Sequence, residues 1–275
     1  THCDGIMGFA VIQNYVTEIN MEKSRFIFHP KSVDITKRTP DNKKSFLLKM
    51  LPLGHSSIEL EVMAPTGKRL HLALDTGNSF YATTHKDVLE RVGLWPENKQ
   101  AKFLKSSFVA SGAVDSWSKK MENMTIYGVP VKTSYWDIID LPSSSAEGDG
   151  TVGFGFLKNF NIIIDYDRRR VWLENFTGKV ENDPTGEIGI SAAYDARRGR
   201  VRVFRVAPES PADKAGIKAG DDVLSIDGTP MGKELGYREI EALLDGEVGS
   251  KVKLSVSRGG DLKRYELERA HLINE

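Results

Sequence analysis

The sequence predicts a mostly β protein in which a β-rich lobe is followed by a small α/β unit. Three observations support this class: short runs that alternate apolar and polar residues between turn residues, a glycine-containing segment that occurs twice, and a change of composition after residue 173. At 275 residues the chain is longer than a typical single domain, which favours at least two domains.

The repeated segment is the first element of the chain. Residues 4–15 align without a gap on residues 149–160, and the register continues as far as Arg25 on Arg170. Each copy has the pattern of a glycine-flanked turn, a short apolar helical turn, a strand, a charged hairpin tip and a second strand. We therefore expect residues 1–28 to superpose on residues 146–173.

The β-rich lobe is predicted to span residues 47–180. It follows residues 31–46, which are polar, contain Pro40 and are interpreted as a linker. Its predicted elements are strands at residues 58–62 and 70–74, a helix at 85–92 that Gly93 ends, strands within 106–136 and a flexible loop at 143–148.

The α/β unit is predicted over residues 184–272, at the point where Asn, Asp, Pro and Gly mark a boundary. Its predicted elements are a strand at 201–206, a helix that Ser210 caps and Gly216 ends, a turn at Gly220, a hairpin turn at 227–228 and a helix at 237–244.

Composition and charge weigh against several classes of protein. Lys plus Arg total 38, as do Asp plus Glu, so no nucleic-acid partner is expected. The longest apolar runs are too short to cross a bilayer, so no membrane span is expected. Cys3 is the single cysteine and cannot form an internal disulfide. No histidine is spaced from another His or Glu as zinc ligands are, so neither a metal nor a cofactor is expected.

The motif that best indicates a catalytic site follows the strand at 70–74 and reads Asp75-Thr76-Gly77-Asn78-Ser79. Gly77 permits a turn that holds the Asp75 carboxylate, while the hydroxyls of Thr76 and Ser79 can lock the turn and orient the carboxylate. Two carboxylates that share a proton acquire different pKa values, so one takes a proton from water while the other donates to a carbonyl. The motif therefore indicates hydrolysis of peptide bonds.

Over residues 45–178 the sequence resembles the retropepsin and pepsin-like aspartic proteases, in particular the bacterial retropepsin-like group. The resemblance rests on residues 73–79 and 149–157; Asn78 departs from the family, which usually has Ser or Ala there. It implies an apolar strand that crosses beneath the catalytic aspartate and a flap that covers the substrate. The implied site consists of the catalytic Asp75 with Thr76, Gly77 and Ser79, and of a substrate cleft at Ser111, Gly112, Val152 and Gly153.

A second carboxylate is required by this chemistry, yet the chain contains one Asp-Thr-Gly and no Asp-Ser-Gly. The repeat offset places the counterpart of Asp75 upstream of Thr1. We therefore expect a second protease lobe, from an upstream segment or from a homodimer partner. Residues 1–30 are then interpreted as the C-terminal remnant of a preceding lobe.

Residues 184–272 resemble a PDZ domain of the bacterial protease-associated type. The resemblance rests on residues 186–190 and on the long motif at 210–228. It implies a groove in which a peptide adds as an extra strand, with its C-terminal carboxylate held by backbone N–H groups. The residues implied for peptide binding are Ile188, Gly189 and Ile190 in the carboxylate loop, and Ile240, Leu243 and Leu244 on the helix.

Together these patterns predict an aspartic endopeptidase for peptide or protein substrates, whose PDZ domain binds substrate or partner C-termini. The chain alone is expected to be inactive as a monomer. The alternative is a non-catalytic peptide-binding scaffold. A serine-protease interpretation of Gly77-Asn78-Ser79 is disfavoured because the bulky Phe80 and Tyr81 follow where an oxyanion-hole turn needs small residues. The resemblance implies an extracytoplasmic bacterial location.

Overall fold

The computed structural model describes residues 7–53, 56–95, 103–109, 112–143 and 148–274. The chain is mostly β and forms two compact units. The first unit comprises Thr1–Glu97, Met121–Asp137 and Pro142–Asn182, and the second comprises Asn98–Lys120, Ile138–Leu141 and Asp183–Glu275. None of the helices in the described ranges is long and apolar enough to cross a membrane.

Strands predominate among the elements up to residue 175, and the helices between them are short. The chain begins with α1 (Phe9–Ile12), β1 (Val16–Asn20), β2 (Arg25–His29), a 3-10 turn (Ile35–Lys37), β3 (Ser45–Lys49), β4 (Glu59–Met63), β5 (Arg69–Leu74), β6 (Ala82–His85) and α2 (Lys86–Val92). It continues with β7 (Lys105–Val109), β8 (Gly112–Ile126), β9 (Val129–Ile139), β10 (Gly150–Val152), α3 (Phe154–Leu157), β11 (Phe160–Asp165) and β12 (Arg170–Asn175).

The remaining elements follow residue 182. They are β13 (Gly186–Glu187), β14 (Ile190–Asp195), β15 (Arg200–Val206), α4 (Pro211–Lys214), β16 (Asp222–Ile226), β17 (Thr229–Pro230), α5 (Tyr237–Leu244), β18 (Lys251–Arg258), β19 (Asp261–Glu268), β20 (Ala270–His271) and β21 (Ile273–Asn274).

A five-stranded antiparallel sheet in the first unit contains both copies of the sequence repeat, in the order β2-β1-β11-β12-β3. Helix α1 corresponds to α3 at the repeat spacing, and Gly8 and Gly153 before them have the same backbone angles, φ −100° and ψ −174°. Glu18 pairs with Ile163, its own equivalent in the other copy. The two copies are therefore related by a local two-fold axis through that pair.

The rest of the first unit is a β-barrel. Its strands are hydrogen-bonded in the order β8-β4-β5-β10-β6-β9, and a further pairing of β8 with β9 closes the ring. Phe156, in α3, is fully buried, with its ring 5.6 Å from that of Tyr81, 6.2 Å from that of Tyr127 and 4.8 Å from that of Phe160. Burial of a side chain of this size contributes about 2–3 kcal/mol to stability.

Residues 31–46 are more than the polar linker that the sequence indicates. Ile35 is fully buried and packs in a small core with Val16, Ile163 and Trp172, which joins this stretch to the five-stranded sheet. The prediction missed this because one isoleucine among charged residues has no periodic partner within the stretch. Two of its apolar neighbours, Ile163 and Trp172, come from strands more than a hundred residues away.

The second unit contains a sheet in the order β14-β15-β16-β18-β19, with α5 packed against β14. Its core consists of buried residues between Ile188 and Leu267, among them Val203, Ile226 and Val256. Ser210 caps α4 by accepting a hydrogen bond from the Asp213 amide, as the sequence predicts. The core of this unit is therefore built from one continuous stretch of the chain.

The hairpin of β7 and β8 also belongs to the second unit up to Lys120, although the sequence assigned it to the lobe at 47–180. Its contacts explain the difference. The Asp115 carboxylate accepts a hydrogen bond from Arg205 of β15, and Ser118 pairs in parallel with Ile273 of β21. These partners are 90 and more residues away, beyond the reach of a local pattern.

Candidate functional site

The Asp75 turn follows β5 directly. The Asp75 amide donates to the Val152 carbonyl at 3.0 Å, which continues the parallel pairing of β5 with β10. One carboxylate oxygen of Asp75 accepts from the Gly77 amide at 2.8 Å. The carboxylate is half-buried, whereas Thr76 and Ser79 are exposed. The hydrogen bond from Gly77 closes the turn that the sequence predicts around this residue.

Asn78 is the residue that holds the turn, and sequence reasoning treated it only as a departure from the family. Its side-chain amide nitrogen donates to the hydroxyls of Thr83, at 2.9 Å, and Thr151, at 2.7 Å. Its side-chain oxygen accepts from the Phe80 amide at 2.9 Å. The departure was itself the signal, because serine or alanine could not make all three bonds.

Val152 and Gly153 lie beside the Asp75 turn, as the resemblance implies. Val152 is fully buried, and the Gly153 amide donates to the Tyr81 carbonyl at 2.9 Å. A Cβ atom on Gly153 would lie 2.3 Å from the carbonyl oxygen of Phe80, so only glycine fits there. The structure therefore brings Asp75, Val152 and Gly153 together by main-chain contacts.

The other two residues of the implied substrate cleft are Ser111 and Gly112. Ser111 lies outside the described residues. Gly112 begins β8 in the second unit, whereas Asp75 belongs to the first. The substrate cleft at Ser111, Gly112, Val152 and Gly153 stays a prediction.

The second candidate site is the groove between β14 and α5. Strand β14 is an edge strand that pairs with β15 on one side, and α5 packs against it. The loop before β14 turns at Gly189, whose φ of +83° is strained for any side chain and whose Cβ would lie 2.3 Å from that of Ser210. The Ile188 and Gly189 carbonyls accept from the Ala212 and Ala207 amides, which hold the loop.

The apolar residues predicted for this groove differ in how far their side chains are buried. The side chains of Ile188, Ile240 and Leu244 have at most 3% of their surface exposed and pack in the core of the second unit. Ile190 and Leu243 are half-buried and remain available. Helical spacing alone could not distinguish these faces, because the core and the groove lie on adjacent sides of α5.

Polar residues of the groove were missed by sequence reasoning. Tyr237 begins α5, Ser191 lies on β14, and Glu187 precedes the carboxylate loop. Asp245 follows α5; its burial and the neighbouring Glu187 and Glu241 raise its pKa, which Lys105 and Arg269 lower in part. This end of the groove therefore brings three carboxyl groups together, those of Glu187, Glu241 and Asp245.

Comparisons with known proteins identify a domain within the second unit. Residues 186–268 match the family model of the PDZ domain, so the chain contains a PDZ domain. The predicted fold class, a β lobe followed by a small α/β PDZ domain, is confirmed by this match and by the strand topology.

Several proteases are similar to part of the chain. It is 30% identical over 111 residues to the carboxy-terminal processing protease CtpB of Bacillus subtilis, which covers 38% of this chain and 23% of that protein. It is 32% identical over 131 residues to the periplasmic pH-dependent serine endoprotease DegQ of Escherichia coli, which covers 45% of this chain and 27% of that protein. The chain thus spans less than a third of these relatives.

A solved structure is similar at low identity. A retropepsin-like aspartic protease from Rickettsia conorii is matched at 14% identity with a TM-score of 0.37, over 48% of this chain and 90% of that chain.

The prediction of an aspartic-type endopeptidase is wrong. The curated relatives are proteases of another type, including periplasmic serine endoproteases of Escherichia coli. No two-carboxylate mechanism is therefore assigned to Asp75, Thr76, Gly77 and Ser79. The second protease lobe, which that mechanism required, stays a prediction. The residue that misled the sequence argument is Gly77, because a strand-to-loop turn and a catalytic turn need the same glycine.

Proposed function

We propose that this chain is a peptide-binding protein that recruits extended protein segments for proteolysis through its PDZ domain. The observation that supports this best is the arrangement of β14 as an edge strand beside α5. An edge strand offers unpaired N–H and C=O groups to which a peptide adds as a further strand. Side chains of the groove then select the peptide.

The residues proposed to contact the peptide are those that burial leaves available. Gly189 and the backbone of Ile188 shape the loop at one end, while Ile190 and Leu243 offer half-buried apolar surface. Ile240 and Leu244 support α5 from the core. In this proposal the barrel of the first unit is a scaffold, and the hydrogen bond from Gly77 to Asp75 is structural.

The relatives suggest a cellular compartment for this protein. CtpB and DegQ are proteases, and DegQ is periplasmic. We therefore propose an extracytoplasmic compartment for this protein, which these relatives support. Proteolysis by the whole protein is the second candidate function, which the same relatives favour.

Peptide binding can be tested by isothermal titration calorimetry of the full chain against heptapeptides with free or amidated C-termini. Ile190→Lys is expected to weaken binding at least tenfold, because it puts a charge on apolar groove surface. Leu262→Lys is the matched control, since Leu262 is 53% exposed on β19, the far edge of the same sheet. Equal effects of the two substitutions, or no binding of any peptide, would contradict the proposal.

Proteolysis is tested separately, by adding a fluorophosphonate that labels activated serines. Labelling together with cleavage of a casein substrate would support the second candidate. An unlabelled and inactive chain that still binds peptides would leave peptide binding as the function.

A further inference from the structure

A segment of the second unit lies across the PDZ groove. The amide of Ser106, on β7, donates to the side-chain oxygen of Ser191 on β14 at 3.3 Å. The hydroxyl of Tyr237, at the start of α5, donates to the Ser106 carbonyl at 2.9 Å. Both main-chain polar groups of Ser106 are thus bonded by the two walls of the groove.

The neighbouring residue supplies a charge. The Lys105 ammonium lies 3.2 Å from a carboxylate oxygen of Glu187, and the two side chains are only 22% and 16% exposed. Glu187, Glu241 and Asp245 surround this end of the groove, and Arg269 is the other cation that acts on Asp245. A partly buried ion pair of this kind is much less screened by salt than a surface pair.

The rest of the hairpin is fixed to the same domain. Asp115 of β8 is hydrogen-bonded by Arg205, which is the strand partner of Ser191. Within the hairpin, the Ser107 hydroxyl donates to that of Ser116 at 2.8 Å. Ser106 and Ser107 are 4% and 3% exposed, so water is excluded from this contact.

We propose that Lys105-Ser106-Ser107 is a built-in ligand of the PDZ groove, and that an outside peptide binds by displacing it. The proposal deepens the proposed function and rests on it. It also names the class of peptide, an extended internal segment with a lysine or arginine next to small hydroxyl residues. A C-terminal carboxylate is a poor match for this end of the groove, because the Glu187 carboxylate, once Lys105 is displaced, would repel it.

Displacement has a measurable consequence. When only a fraction of the molecules has an open groove, the apparent association constant for an outside peptide is the intrinsic constant multiplied by that fraction. Weakening the internal contact without touching the groove walls therefore tightens peptide binding. Weakening the acidic wall loosens it, because the outside lysine needs the same carboxylates.

The probe is a fluorescent heptapeptide with the sequence of residues 103–109 and an amidated C-terminus, titrated by anisotropy into the full chain. Lys105→Glu is expected to bind it at least tenfold more tightly than the native chain, because the substituted hairpin is repelled from Glu187. Lys132→Glu is the matched control, an exposed lysine of β9 in the first unit, and is expected to leave the affinity unchanged. Replacing the lysine of the probe with glutamate is expected to weaken its binding to Lys105→Glu at least tenfold.

Hydrogen exchange of the native chain gives a second measurement that needs no variant. Saturating probe should speed exchange of the amides in residues 103–109, because Ser106 loses its bond to Ser191. Equal affinity of the native chain and Lys105→Glu, with no change in that exchange, would overturn the proposal and leave the proposed function standing. Tighter binding of a free-carboxylate peptide than of the amidated probe would overturn the peptide class. Failure of every peptide to bind Lys105→Glu would instead overturn the proposed function.

Discussion

Gly153 is a single residue whose replacement should damage the first unit. A Cβ there would lie 2.3 Å from the Phe80 carbonyl oxygen and 2.7 Å from that of Asn78, so the backbone must move. We expect Gly153→Ala to lower the free energy of unfolding by about 3 kcal/mol. Native-state hydrogen exchange of residues 160–165 measures this loss in the strand that follows.

Gly8 is the internal control for this substitution. It has the same φ and ψ as Gly153, yet no atom of the residues that the structure describes lies within 4 Å of its Cβ position. Gly8→Ala is expected to change the same quantity by less than about 0.5 kcal/mol. Similar losses for both variants would show that backbone angles, and not crowding, require the glycine.

Asp221 makes the stability of the second unit depend on pH. It is 1% exposed, and Arg258 bonds to both of its carboxylate oxygens at 2.6 and 2.7 Å. Burial opposes ionisation, but the bonds from Arg258 and the Lys218 amide outweigh it and lower the pKa of Asp221. Because the folded pKa is depressed, the stabilisation is present above the unfolded-state pKa and is lost as the pH falls through the folded value.

Scanning calorimetry of the full chain tests this dependence. Between pH 6 and pH 3 the transition of the second unit is expected to fall at least ~4 °C further in the native chain than in Asp221→Asn, which has no carboxylate to protonate. Parallel decreases in the two proteins would contradict it.

Among the elements, strand β2 is the exposed edge of the five-stranded sheet. Phe26 and Phe28 are 46% and 37% exposed, and their rings lie 5.3 Å apart. An apolar edge strand promotes association between chains, and lysine on such an edge prevents it. Replacing both residues with lysine is expected to raise the concentration at which the chain self-associates at least fivefold, measured by sedimentation velocity. Phe176→Lys, at an equally exposed aromatic outside any strand, should have no such effect.

Local patterns predicted most of these elements. The spacing of glycines at 8 and 153 identified the repeat, and Gly93 ends α2 with φ +77°, as expected of a helix stop. Patterns within a few residues could not place Ile35 in a core or Ser106 beside Tyr237, whose positions differ by 131 in the sequence. The hydrogen-bonded turn at Asp75 was predicted correctly, but the aspartic-protease activity inferred from it was wrong. A turn of this type occurs both in catalytic sites and in structural loops, so its sequence does not determine its function.

For the whole molecule, the limits of the two units predict how the chain can be divided. The core of the second unit is formed by residues between Ile188 and Leu267, so a fragment of residues 183–275 is expected to fold, as seen by circular dichroism. It lacks β7, and its groove is open. We expect it to bind the amidated 103–109 probe at least tenfold more tightly than the full chain. A folded fragment with the affinity of the full chain would show that β7 does not compete for the groove.

The pairing of β1 with β11 has a consequence for synthesis of the chain. Val16 is paired with Asp165, so β1 finds its partner only after about 150 further residues have been made. At a synthesis rate of roughly 5–20 residues per second, the hairpin of β1 and β2 lacks its partner strand β11 for about 7–30 s. Its aromatic residues are exposed to other nascent chains for that time. The ribosome, and not the rate of collapse, therefore sets the earliest moment at which this sheet can form.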